Sequence, residues 1–344
     1  MPIGPNGCEI VDMDEVQRGP LCQAFLRAWG WGDAEQRPLP GDASNRRYIR
    51  LNHNGERAML MDAPPPTEDI RPFTAIARHL TAHGFSAPKI LAEDAPNGFL
   101  LLEDFGDATF TNLLASGEDE SQLYELATDT LASLRAKPVP DHVQPYDDDR
   151  LLMETALLLD WFMAAQDIDV TSEARTAYDQ AWVELFERVH QGPRTLVLRD
   201  YHVDNLMRLD DRSGTDACGL LDFQDALAGH PAYDLMSLLE DARRDVDVDL
   251  QARMKDRYHA QVGTEDRADF DVAYAILAAQ RHAKVIGIFT RLHRRDGKAQ
   301  YLKHMNRLWR LLEQSLDHQD LSVLKTWFDT YVPKDKRQAA EDRI

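Results

Sequence analysis

The stretch "VLRDYHVDNLMRL", residues 197–209, decides how this chain is read. An apolar run meets Arg199-Asp200, a polar loop follows, and Asn205 leads back into apolar Leu206-Met207. Short strands are expected on both sides of the loop. A second segment, "ACGLLDFQDALAGHPAYDLMSLLEDARRD" (217–245), supplies the rest. Its "GLLDF" predicts another short strand ending at Asp222, and the intervening "DRSGTD" (211–216) is a turn by composition. A hairpin of "NLMRL" on "CGLLDF" is expected to bring Asn205 and Asp222 to one end, with Asp200 entering just before. One amide and two carboxylates make an oxygen-rich set suited to Mg²⁺, which commonly takes one or two protein groups plus substrate phosphates. A separate Asp can orient a substrate hydroxyl and accept its proton. The chemistry implied is phosphoryl transfer from ATP to an alcohol.

Outward from this loop the chain changes character once. Residues 12–29 predict an amphipathic helix with Val16, Leu21, Phe25 and Leu26 as its apolar stripe and Gly30 as its stop. "SNRRYIRL" and "RAMLMDA" read as strands joined by "NHNGE", whose Asn-Gly signals a hairpin. A helix over about 71–83 is closed by Gly84, and "PKILAED" and "GFLLLEDF" add two strands around "APNG". After Gly106 helical patterns dominate: 109–115, 119–135, 149–166, 172–190, then 232–243, 249–262, 268–292, 298–317 and 321–331. The expected division is residues 1–105, a small antiparallel sheet with a helical extension over 1–30, and residues 106–344, a mainly helical part. A ligand cleft is expected where the two parts meet.

The chain has 344 residues with 59 Asp plus Glu against 39 Lys plus Arg, a formal charge of −20. So acidic a surface repels nucleic acid and anionic lipid, and neither is an expected partner. An anionic ligand requires a local cationic site or bound metal. Cys8, Cys22 and Cys218 are odd in number and widely spaced, which predicts reduced thiols rather than a disulfide frame or zinc site. The N-terminus lacks the basic-then-apolar pattern of a secretory leader, and no apolar run reaches about 18 residues. A cytoplasmic protein is expected. Its oligomeric state is left open, a monomer included.

The loop also resembles that of the aminoglycoside phosphotransferase and choline kinase superfamily, whose fold is similar to protein kinases. That pattern runs His-Gly-Asp-x-His-x-x-Asn, then a metal-binding Asp in Leu-Asp-Phe, then Gly-x-Pro-x-x-Asp-Leu. The chain reads Leu198-Arg199-Asp200-Tyr201-His202-Val203-Asp204-Asn205, Leu221-Asp222-Phe223 and Gly229-His230-Pro231-Ala232-Tyr233-Asp234-Leu235. The resemblance spans about 40–315 and implies an α+β, two-lobed protein-kinase-like fold. More narrowly, "GDASNRRYIRL", "MDAPPPTEDIRPF", "GFLLLEDFGD" and "LLDFQDALAGHPAYDLMSLLEDARRDV" are similar to bacterial cell-wall amino-sugar kinases. Those enzymes phosphorylate the anomeric hydroxyl of N-acetylmuramate or N-acetylglucosamine with ATP in peptidoglycan recycling.

The resemblance implies Asp200 as catalytic base, Asn205 and Asp222 as Mg²⁺ ligands, and Asp234 as a buried brace for loop amides. His202 is expected to brace the loop or touch substrate, and Asp225 to reach the metal or sugar or to be a surface turn residue. Backbone groups of Glu103, Asp104 and Phe105 are expected at adenine, and "GDASNRRY", with Ser44, Asn45, Arg46 and Arg47, at the phosphates. Two departures stand out. Leu198 replaces the first loop His, and "ERAMLMDA" has Met59 and Met61 where kinase-like folds carry a phosphate-pairing Lys on the third strand. Arg46 and Arg47 are the nearest substitutes. Alternation puts Arg46, Tyr48 and Arg50 on one face and Arg47, Ile49 and Leu51 on the other, so Arg47, beside apolar neighbours, is expected to point inward. For the sugar, Glu154 and Trp161 share a predicted helix stripe with Leu157 and Leu158, Gln224 follows Asp222, and Arg243 is a candidate for the lactyl carboxylate of N-acetylmuramate. Trp161 is equally suited to core packing. The alternatives are a kinase for another alcohol (an aminoglycoside, choline or homoserine) and a nucleotide-binding protein without catalysis.

Overall fold

The structure is a computed structural model, described here over residues 13–41, 45–263 and 267–337. The chain divides into two compact units, Met1–Ala108 with Gly219–Gln224, and Thr109–Cys218 with Asp225–Ile344. The class is α+β, a two-lobed kinase-like fold. Among the described residues no helix is long and apolar enough to cross a membrane.

The first unit holds helix α1 (Met13–Ala28), strands β1 (Glu35–Pro38), β2 (Arg47–His53) and β3 (Glu56–Asp62), helix α2 (Arg71–Ala82), and strands β4 (Ile90–Asp94) and β5 (Phe99–Glu103). The strands form one antiparallel sheet in the order β1-β2-β3-β5-β4. Asn54 and Gly55, at φ 53° and 88°, make the tight turn between β2 and β3. At Gly98 (φ 71°) a Cβ would lie 1.9 Å from Ala63 O, so only glycine fits that turn.

The sheet has two different faces. Ile49, Leu51, Ala58, Leu60, Phe99 and Leu101 pack against Phe25 and Leu26 of α1, which gives that helix its task. Leu21, expected in its buried stripe, is 44% exposed. The opposite face carries Tyr48 beside Met61 and Arg50 beside Met59, by register. The segment 219–224 belongs to this unit because Leu220 N–H donates to Ser86 O (2.7 Å) and Phe223 stacks on Phe73 of α2. Strand β1 carries no sequence signal: Glu-Gln-Arg-Pro, wholly exposed, is an edge strand with no apolar side.

The second unit contains α3 (Phe110–Ala115), α4 (Glu120–Arg135), α5 (Asp148–Leu157) and α6 (Ser172–His190), then the short strands β6 (Thr195–Val197), β7 (Leu206–Arg208) and β9 (Leu227–Gly229). The chain of β8 (Cys218–Leu220) passes from this unit into the first. Helices α7 (Ala232–Leu239), α8 (Val248–Val262), α9 (Arg267–Asp296), α10 (Met305–Leu316) and α11 (Ser322–Tyr331) complete it. Side chains of Thr109, Asp119, Asp147, Thr171 and Asp247 accept the first amides of α3, α4, α5, α6 and α8.

The helix expected over 149–166 changes pitch. From Leu158 to Met163 it opens into a wide, π-type turn. Gly287 of α9 lies against this point, where an added Cβ would meet Leu157 C and O at 2.3 and 2.4 Å. This wide turn begins between Glu154 and Trp161, so the regular α-helical spacing that the expected shared stripe requires does not run through it. The helix expected over 232–243 ends at Leu239, which leaves Arg243 on a loop.

Because backbone rather than a flexible side chain opposes Gly287, Gly287→Ala should cost about 1–3 kcal/mol. A urea titration followed by circular dichroism measures it; an unchanged midpoint would show that α9 and α5 need no such close approach.

Candidate active site

The site loop begins where β6 ends. Leu198, in place of the expected histidine, is 3% exposed and packs as a core residue. Its N–H and that of Arg199 donate to the two oxygens of Asp234 at 2.6 and 2.9 Å. Arg199 stands where the related pattern has glycine, and its φ is 72°, a left-handed backbone that costs a side-chain-bearing residue about 1–3 kcal/mol. Arg281 of α9 donates to Arg199 O (2.9 Å), to Tyr233 Oη (3.1 Å) and to Asp200 Oδ1 (3.3 Å). The turn is therefore gripped at both its amides and its carbonyl.

This grip presents Asp200, whose side chain is 43% exposed. Burial raises its pKa, but the cations Arg281, Lys284 and Arg199 outweigh that and hold the carboxyl below the usual carboxylate range. Asn205 donates through Nδ2 to Asp200 O (3.0 Å), which fixes the amide across the loop. His202 is buried, with Nε2 3.3 Å from Arg243 Nη1 and 3.4 Å from Asn205 Nδ2. Burial and then the charge of Arg243 lower its pKa, so it is a neutral brace. Arg243 also lies 3.5 Å from Asp204 and over the Phe289 ring.

Glu154, expected beside the sugar, is instead 4% exposed with both oxygens taken up inside the protein. Arg199 and Lys284 (2.8 Å) donate to Oε1, and Tyr146 and Gln280 (3.0 Å) to Oε2. Burial pushes its pKa up, yet Lys284 and Arg199 bring it down to about 2. Its role is to hold cations beneath the loop. Trp161 is half-buried beside Phe162, which turns into the core against Trp309. Arg281, Lys284 and Gln280 went unrecognised in the sequence. The available signal was the polar run "QRHAK" (280–284) inside the apolar helix "FDVAYAILAAQRHAKVIGIF".

In the first unit, Asp222 has φ 58°, is about half-exposed, and accepts from Gln224 Nε2 (2.9 Å). Arg46 lies inward at 12% side-chain exposure, with Nε 3.3 Å from Glu68 and Nη1 4.0 Å from Asp222. Arg47 is exposed, against expectation. The apolar parity that it shares with Ile49 and Leu51 belongs to the face covered by α1, and it stands at the open end of that face. Asn45 N–H donates to Glu68 Oε1 (3.1 Å); Ser44 lies outside the described residues.

In the segment expected at adenine, the Glu103 N–H is already donated to Lys89 O (2.9 Å). The Asp104 carboxylate is 1% exposed and pairs with Arg50 (2.8 Å), and Phe105 is half-buried. Asp225 is exposed and its carbonyl accepts from Arg199 (3.3 Å).

A kinase-like fold with an acidic loop held in this way defines a phosphotransferase. A family model described as "Phosphotransferase enzyme family" matches residues 35–271, and the chain belongs to that family. It is 36% identical over 351 residues to an N-acetylmuramate/N-acetylglucosamine kinase of Caulobacter vibrioides, covering 92% of this chain and 97% of that one. A kinase of the same name from Pseudomonas aeruginosa is 37% identical over 299 residues, 84% of this chain and 87% of the other. Among solved structures, a choline/ethanolamine kinase family protein from Mesorhizobium loti superposes with TM-score 0.61 at 12% identity, over 91% of this chain and 99% of that one. An ADP-bound aminoglycoside phosphotransferase gives 0.60 at 15%, over 89% and 99%.

Asp234→Ala leaves two buried N–H groups without an acceptor and should cost about 2–4 kcal/mol. Burial pushes the Asp234 pKa up to about 7 despite the two N–H donors. A folded-state pKa above the unfolded one gives stability that is complete at low pH and lost as pH rises through about 7. The wild type's advantage over Asp234→Ala in denaturant titrations should thus be larger near pH 5 than near pH 8; the reverse trend would contradict the raised pKa of Asp234.

Proposed function

We propose that the chain is an ATP- and Mg²⁺-dependent kinase of the cytoplasm that transfers the γ-phosphate to the anomeric hydroxyl of N-acetylmuramate or N-acetylglucosamine. Its place is then in recycling cell-wall amino sugars. The observation that carries the catalytic half is Asp200, an accessible carboxylate kept ionised by Arg281 on a loop fixed by Asp234. The substrate half rests on the names of relatives that match nearly the full chain.

In this reading Asp200 accepts a hydrogen bond from the sugar's C1 hydroxyl and aligns its oxygen with the γ-phosphorus. A carboxylate so weakly basic is a poor base for an unperturbed alcohol. It suits a loose phosphoryl-transfer transition state, in which the hydroxyl proton leaves late, once the oxygen has begun to bond phosphorus. The proton then passes to Asp200. Two oxygen donors fit Mg²⁺, which takes few protein ligands and completes its shell with phosphate oxygens and water. Asp222 is one, an accessible carboxylate braced by Gln224. We propose Asn205 as the other, held in the loop by donation from its amide nitrogen to Asp200 O. Bound there, the ion would screen the charge of the ATP phosphates.

Asp200→Asn should lower kcat by about 10²–10⁴-fold while ATP affinity is retained. Steady-state ADP release and nucleotide titration report the two separately, and undiminished turnover would remove Asp200 from the chemistry. An ADP-release panel of amino sugars, aminoglycosides, choline and homoserine tests the substrate, with phosphorus NMR to identify an anomeric phosphate. Turnover of aminoglycosides or choline alone would replace the sugar; ATP binding with no turnover on any alcohol would leave a non-catalytic nucleotide binder.

A further inference from the structure

An acidic chain that handles a polyphosphate needs at least one fixed cation against it. Strand β3 provides none where kinase-like folds have one: Met61 is fully buried and Met59 is half-buried beside it. We propose that Arg46, entering β2 from the turn before it, is the cation that grips the ATP phosphates in this protein, with Glu68 as the residue that positions it. The proposal rests on the ATP-dependent reading above.

Three observations within the first unit carry it. Arg46 shares the parity of Tyr48 and Arg50, whose face of the sheet is the one α1 leaves uncovered. Its guanidinium lies between two carboxylates, Glu68 at 3.3 Å and Asp222 at 4.0 Å. Glu68 is itself fixed, since Oε1 accepts from Asn45 N–H (3.1 Å) and its own N–H donates to Pro64 O (3.0 Å). A guanidinium has five N–H donors, so the Nε edge can stay on Glu68 while the Nη groups meet phosphate oxygens as a fork. Asp222 is the Mg²⁺ ligand proposed above, so its 4.0 Å distance to Arg46 puts the guanidinium within reach of any phosphate that shares the ion.

Two other cations of this unit are committed elsewhere. Arg50 is held by Asp104, Asp107 and Gly106 O. Arg18 pairs with Asp62 and lies over Phe99 on the α1 side. Arg57 is 56% exposed. In this proposal the positive charge stands at the entry to the neighbouring strand, with Glu68 as its acidic partner.

Isothermal titration of ATP and of adenosine, each with Mg²⁺, tests the proposal. Arg46→Ala should weaken ATP about 10- to 100-fold and leave adenosine unchanged. Arg46→Lys should recover part of the loss, since it restores charge without the fork. Glu68→Gln should weaken ATP less than Arg46→Ala does. Arg78→Ala, which removes a surface pair with Glu93, should change neither ligand. Unchanged ATP affinity in Arg46→Ala, or an equal loss for adenosine, overturns the role of Arg46 and leaves the kinase reading standing. A wild type that binds ATP no better than adenosine removes both.

Discussion

The carboxylate of Asp234 beneath the N–H groups of Leu198 and Arg199 is the contact on which the loop depends. The chain leaves β6, turns through a left-handed Arg199 and exposes Asp200 within a few residues. Such a turn points two amides inward where water cannot reach them, and Asp234 is their acceptor. Arg281 satisfies the carbonyl of the same turn and reaches on to Asp200. A strained backbone persists only where its surroundings hold it from several sides, and here backbone amides, a carbonyl and the Asp200 carboxylate are held together.

Charge is arranged on the same principle. The protein carries a formal charge of −20, yet cations surround the Asp200 loop from beneath. Arg199, Arg281 and Lys284 are largely withdrawn from water, which is costly for an unpaired cation. Glu154 makes the arrangement tolerable by accepting from Arg199 and Lys284. The residue that looked like a sugar contact is thus the counter-ion that lets the cations under Asp200 be buried. Their charge holds the Asp200 carboxyl below the usual carboxylate range.

Much of the fold was legible because local chemistry and tertiary structure agree. Asn54-Gly55 dictates a tight hairpin with or without neighbours, and Gly84 ends α2 in a left-handed residue. The loop order Asp200, Asn205, Asp222, Asp234 was visible as polar residues set between apolar runs. Strand β1 was not, since its four exposed residues form a strand only by borrowing the hydrogen bonds of β2. The wide turn at Leu158–Met163 was equally silent: it answers to the approach of Gly287 from α9, far away in sequence.

Arg46 and Arg47 show the same division at one pair of residues. Alternation separated them onto opposite faces, as any strand must, but could not say which face is which. Apolar company suggested that Arg47 pointed inward; the packing of Phe25 and Leu26 of α1 against Ile49, Leu51 and Leu60 gives that company to the covered side and leaves Arg46 beside Glu68 and Asp222. The sequence by itself determined the class of chemistry, because it follows from residue types and their order along the chain. Tertiary structure alone decided which charges meet, because burial and ion pairing depend on which distant helix closes over each face.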